Sequence, residues 1–277
     1  MNRILALTLA VVFPFAVCAQ MAPPGQIQGS ASEHTAASAK DVIESGWLVL
    51  PAAAAGGRIY SGVWREAPRS DSARVPVVIF MHGSSGLGLA AIREWQVWLA
   101  GLGFASFAPD SFALPGRVTY VSPVDKGTYE RIHAMRAAEA LMAIAAVKQA
   151  RWADPKRVVL AGTSEGAVAV ARFDGDEVIG RIVYSWSCEN NYFVEAHRTA
   201  VRPGQPLLNV ISASDPYFSP SNPWLGNPQA RGHCASAWSD SKSDASIVLI
   251  PGAPHTLINL PPARRATEAF LQSVIGM

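Results

Sequence analysis

Hydrophobic positions along this chain fall into short continuous runs, separated by stretches in which they recur every three or four residues. Val75 to Phe80 (Val-Pro-Val-Val-Ile-Phe), Phe104 to Ala108, Arg157 to Gly162, Val178 to Trp186, Pro206 to Ala213 and Ala245 to Ile250 are runs of the first kind. Such runs suit strands covered on both faces. Trp47 to Pro51 and Arg58 to Glu66 read as an opening strand pair. Between them, Leu89 to Leu102, Thr128 to Ala150, Gly166 to Arg172 and Pro262 to Ile275 have helical spacing. In the longest, Thr128 is the predicted cap, and Ile132, Met135, Ala138, Met142 and Ala145 form the predicted core stripe. Residues 111–127, with Pro115, Pro123 and two glycines, read as a loop or small cap. Strands alternating with helices predict an α/β fold with a parallel sheet covered on both faces.

The first residues do not fit this alternation. Met1-Asn2-Arg3 gives a positive start, and Ile4 to Ala16 is uncharged and mostly apolar. That run falls short of the roughly 20 residues needed to span a bilayer. It ends at Val17-Cys18-Ala19, which suits signal-peptide cleavage after Ala19. A membrane anchor and lipidation at Cys18 are the alternatives. Residues 20–45, opening on a stretch rich in Ala, Ser, Gly, Gln and Pro, read as a flexible lead-in. Residues 46–277 read as one domain without internal repeats. The expected location is periplasmic or extracellular.

Charge narrows the partners. The chain of 277 residues has a net charge of +2, one unit of it from Arg3. A near-neutral surface gives no electrostatic case for nucleic acid or for an anionic membrane. Oligomeric state is not legible. Without Cys18, two cysteines remain, and an even count in an exported chain predicts a Cys188–Cys234 disulfide. The alternative is two buried thiols. No H-E-x-x-H and no close His/Cys cluster is present, so neither metal nor cofactor is expected.

The strongest chemical signal is Gly162-Thr163-Ser164-Glu165-Gly166, between a buried strand and a small-residue helix. G-x-S-x-G in that setting is a nucleophile elbow, which exposes the serine hydroxyl on a sharp turn. His82-Gly83-Ser84-Ser85-Gly86 follows the first buried run. The amides of Ser84 and Glu165 are the predicted oxyanion donors. Of six histidines, His255 lies just after the last strand and is last in chain order. It is therefore the predicted base. Asp215, also following a strand and lying between the other two, is the predicted acid that orients it. Phe112, Tyr120, Trp186, Tyr192, Tyr217 and Phe218 are candidates for an apolar substrate wall, with core packing as the alternative. Asp110 and Arg117 are read as a loop-fixing ion pair.

With these motifs in place, the chain from Trp47 to Ile275 resembles the α/β-hydrolase superfamily, and within it the dienelactone-hydrolase-like branch. The resemblance rests on Val-Ile-Phe-Met-His82-Gly83, Asp154-Pro155-Lys-Arg157-Val, Gly162-Thr-Ser164-Glu-Gly166, Asp215 and His255. It implies an eight-stranded, mostly parallel sheet and a cofactor-free hydrolase. One departure matters: dienelactone hydrolases proper carry cysteine where this chain has Ser164. The expectation is a secreted serine hydrolase that cleaves small carboxylic esters through an acyl-enzyme. Dienelactone-type or peptidase activity on the same triad, or a silent binding protein on this fold, are the alternatives.

Overall fold

The computed structural model describes residues 22–68, 73–200, 204–238 and 244–276. The predicted signal peptide lies outside the described residues.

Among the described residues, ten strands and five α-helices follow in chain order. They are β1 (Gln26–Gln28), α1 (Ala36–Glu44), β2 (Trp47–Leu50), β3 (Tyr60–Val63), β4 (Val75–Met81), α2 (Ala90–Gly101) and β5 (Ala105–Ala108). Then come β6 (Thr119–Val121), α3 (Lys126–Gln149), β7 (Ala153–Thr163), α4 (Glu165–Arg172), β8 (Gly180–Tyr184), β9 (Leu207–Ser212), β10 (Ala245–Ile250) and α5 (Pro261–Ile275). Eight strands form one sheet in the order β10-β9-β8-β7-β4-β5-β2-β3. Only β2 runs antiparallel to its neighbours β3 and β5. The other pairs are parallel.

Five of the six continuous apolar runs are the inner strands β4, β5, β7, β8 and β9; the sixth, Ala245–Ile250, is the edge strand β10, of which only Ile250 is buried. Every residue of β8 and β9 is buried, and all of β4 except Pro76. Pro76 offers no N–H to the ladder, and the β4–β7 register shifts between Val75 and Val77. Helices cover both faces. Ile92, Trp95 and Leu99 of α2 and Ala263 and Leu271 of α5 pack on one. Tyr129, Ala140, Ala143 and Val147 of α3 and Ala167 and Val168 of α4 pack on the other.

Strand order reverses between β4 and β7. Chain leaving β4 crosses through α2 to β5 on one side, and chain leaving β7 crosses through α4 to β8 on the other. The carboxyl ends at such a switch point diverge and leave a crevice. The loops after β4 and β7 both open there.

Three sequence expectations are corrected. The lead-in is built into the molecule: β1 pairs antiparallel with β6, and α1 carries a Thr35 capping box and buries Val42. Its polar composition hid this because β1 exists only through its partner. Second, α3 starts at Lys126 with Asp125 as cap, whose Oδ1 accepts from Thr128 N at 2.8 Å. Third, the buried face of α3 is rotated from the apolar stripe. It includes His133, Arg136 and Glu139, while Ala145 is exposed. Charged side chains occupy that face because they bond to one another and to the loops above the sheet.

Candidate active site

Ser164 sits between β7 and α4 at φ 54°, ψ −120°, a region that non-glycine residues rarely adopt. Its neighbours make the turn possible. A Cβ on Gly166 would stand 2.2 Å from the Met81 carbonyl oxygen and 2.5 Å from that of His82. A Cβ on Gly162 would meet Gly166 O and Val170 Cγ2 at 2.8 Å. The first turn of α4 thus presses directly against the end of β4. Helix formation also leaves the first N–H groups of α4, starting with Glu165, without intrahelical partners.

His255 and Asp215 are brought together from separate loops. His255 Nδ1 lies 2.7 Å from Asp215 Oδ2. The other carboxylate oxygen, Oδ1, accepts from Tyr217 N at 2.9 Å and Phe218 N at 3.1 Å. Asp215 is fully buried, so the carboxylate is satisfied by these donors rather than by water. Its acceptor faces Nδ1, which fixes the Nδ1–H tautomer and leaves the Nε2 lone pair open. The His255 loop is anchored separately: Ser185 Oγ donates to His255 O at 2.6 Å, and Ser212 Oγ to Ala253 O at 2.7 Å. The Tyr217 ring packs edge-on to the imidazole, 4.7 Å between centroids.

The loop after β4 is held by a buried imidazole. Ser111 N donates to His82 Nε2 at 3.2 Å, so the ring proton is on Nδ1, which donates to Gly83 O at 2.7 Å. Burial, with the Arg136 charge next, holds His82 well below its ordinary pKa and keeps it neutral. Because the peptide is planar and trans, fixing the Gly83 carbonyl also fixes the Ser84 N–H on the opposite side.

Ser164, Ser84, His255 and Thr256 line one cavity of about 270 Å³ at this crevice. Its aromatic wall is Tyr120, Tyr192, Phe193, Tyr217 and Phe218. No Lys or Arg lines it among the described residues. Of the substrate-wall candidates, Trp186 is core, fully buried edge-on to Phe218. Phe112 lies across the Gly86 turn in a separate groove, beneath the Arg117 guanidinium. Phe193 was missed. Its loop carries no periodic signal, and its place depends on contacts with Tyr129 and Tyr192.

Arg117 does not pair with Asp110. Its Nη2 donates to Glu165 Oε1 at 2.6 Å, and Asp110 instead caps a short turn by accepting from Phe112 N at 3.0 Å. A fully buried carboxylate is costly without a cation, so Glu165 takes the arginine. Burial pushes the Tyr120 phenol well up, and the Glu165 charge beside it adds to the rise.

Cys188 and Cys234 form the expected disulfide, with Cα atoms 4.7 Å apart. It ties the loop after β8 to the segment leading into β10. Among the described residues, no three His, Cys, Asp or Glu side chains are grouped to hold a metal ion, and no helix is long and apolar enough to cross a membrane.

Solved structures share the fold. A protein described as a dienelactone hydrolase from Klebsiella pneumoniae subsp. pneumoniae is 16% identical, with 76% of this chain and 90% of that one covered and a TM-score of 0.56. A thermophilic esterase from Thermogutta terrifontis with propionate bound is 15% identical, covering 83% and 87% at a TM-score of 0.51. A cold-adapted esterase from an Arctic intertidal metagenomic library is 15% identical, covering 83% and 94% at a TM-score of 0.51. A search of curated proteins gave no match. The family model for dienelactone hydrolases matches residues 66–271, most of the α/β domain and all of the loops described above, and the chain belongs to the dienelactone hydrolase family.

Proposed function

We propose that this protein is an exported serine esterase that hydrolyses small, uncharged carboxylic esters. Ser164 is the nucleophile, His255 the base and Asp215 the residue that orients it. The observation carrying this reading is the 2.7 Å contact between His255 Nδ1 and Asp215 Oδ2, at a cavity that Ser164 shares.

In the proposed cycle, His255 Nε2 takes the Ser164 proton as its oxygen attacks the ester carbonyl. The amides of Ser84 and Glu165 stabilise the oxyanion. His255 then protonates the departing alcohol, and water hydrolyses the acyl-enzyme by the same route in reverse. The imidazolium formed twice per turnover is stabilised by Asp215.

The cavity supports the substrate class. At about 270 Å³ it lies below the roughly 300–1,000 Å³ of drug-sized ligand sites, which favours short acyl groups. Its aromatic wall, and the lack of a lining cation among the described residues, favour a neutral ester over a carboxylate-bearing lactone. The apolar run at residues 4–16 and the disulfide support export, since disulfides persist in oxidising compartments.

The test is a panel of p-nitrophenyl esters of graded acyl length, run on wild type and Ser164→Ala. Acetate to butyrate should be cleaved in preference to decanoate and longer. Ser164→Ala should lose the activity by a factor on the order of 10⁶ in kcat. Hydrolysis at wild-type rate in the variant would refute the assignment.

A further inference from the structure

We propose that Arg136, which has no place in the cavity, is a positioning residue that sets the geometry of both oxyanion donors. The inference rests on the reading of Ser84 and Glu165 given above.

Arg136 lies on α3 beneath the crevice and is fully buried. Its Nη2 donates to the His82 carbonyl at 2.9 Å. That carbonyl begins the His82-Gly83-Ser84 turn, two residues before the first donor. Its Nε faces Glu165 Oε1 at 3.5 Å, an ionic contact to the residue whose backbone is the second donor. One rigid guanidinium therefore spans the two backbone segments. These segments are already in direct contact, because Gly166 leaves no room for a Cβ against Met81 O and His82 O. A shift of either segment is passed to the other.

The guanidinium is itself braced. Nη1 pairs with Glu139 Oε2 on the same helix. Glu139 Oε1 accepts from Ser111 Oγ at 2.7 Å and faces His34 Nε2 at 2.9 Å. Arg117 Nε donates to the same Ser111 hydroxyl at 2.8 Å while its Nη2 holds Glu165. Ser111 N also holds the His82 ring. His82, Ser111, Arg117 and Glu165 are thus tied to one buried network centred on α3. A preorganised donor pair stabilises the oxyanion without reorganisation, and this costs catalysis rather than ground-state binding when it is loosened. A lysine keeps the charge at 136 but cannot reach the His82 carbonyl, Glu139 and Glu165 at once with a planar fork.

The experiment compares wild type with Arg136→Lys, each normalised by complete titration with a fluorophosphonate. It measures kcat and KM on p-nitrophenyl butyrate, and Ki for a trifluoromethyl ketone, which adds to the serine and places an oxyanion in the hole. The expected result is a kcat lower by about tenfold or more, KM within about twofold, and Ki raised in step with the loss in kcat. An unchanged kcat per titrated site, or a KM rise alone, would overturn the proposal. Should Arg136→Lys fail to fold, Glu139→Gln loosens the brace while keeping the guanidinium. It should show the same kcat-only loss, and wild-type kcat there would also overturn the proposal. The esterase reading fails separately, if Ser164→Ala retains hydrolysis.

Discussion

At the residue scale, the site depends on groups whose conformations leave little freedom. Asp215 holds His255 through one oxygen and is itself held by two backbone amides through the other. Asp215→Asn keeps the shape but favours the wrong imidazole tautomer, so kcat on short esters should fall by about ten-thousandfold. A loss under tenfold would remove Asp215 from the mechanism. Gly166→Ala drives a Cβ into two backbone carbonyls that cannot move aside cheaply. It should cost about 1–3 kcal/mol or more of stability, read as a lower urea midpoint, and a wild-type midpoint would contradict the packing described. The strand–turn–helix around Ser164 was legible because a tight turn between a buried strand and a helix imposes fixed glycine spacing. Phe193 and the Arg117–Glu165 pair were not, since neither depends on neighbours in sequence.

At the element scale, α3 shows where periodicity fails. Its buried face takes in Arg136, Glu139 and His133, which an apolar template cannot recognise. His133 lies 2% exposed between Tyr129 and Phe193, and both ring nitrogens lack a hydrogen-bond partner among the described residues. Burial, and then the nearby Arg172 charge, hold it down to about 3. The unfolded chain takes up this proton near pH 6.5 and the folded chain only near 3. Stability should therefore fall as pH drops through that window, by up to about 1.4 kcal/mol per unit. His82, depressed by burial, acts in the same direction. Burial alone would raise Glu139, but Arg136 and the bonds from His34 and Ser111 outweigh it and hold it near 2. Its contribution is present above about pH 4.5 and is lost below, which steepens the decline. Thermal melts from pH 8 to 4 should show this onset near 6.5, and His133→Phe should flatten the upper part of the curve. A melting temperature independent of pH down to 5 would contradict it.

At the scale of the whole molecule, the sheet was legible because doubly covered strands must be apolar throughout. The N-terminal segment was not, because β1 is Gln-Ile-Gln on an exposed edge and owes its structure to β6. Long-range ties of this kind include the disulfide, which closes 46 positions between the loop after β8 and the approach to β10. Replacing both cysteines by serine should cost up to about 4 kcal/mol by the chain-entropy model, read by denaturant unfolding. Unfolding at the wild-type midpoint would show the crosslink to be dispensable. Three loops distant in sequence meet at one crevice, and labelling of the intact protein tests this most directly. A fluorophosphonate probe should attach once per chain, with the modified peptide carrying the adduct on Ser164, and His255→Ala should suppress the reaction. Absence of labelling, or an adduct on any other residue, would contradict the account.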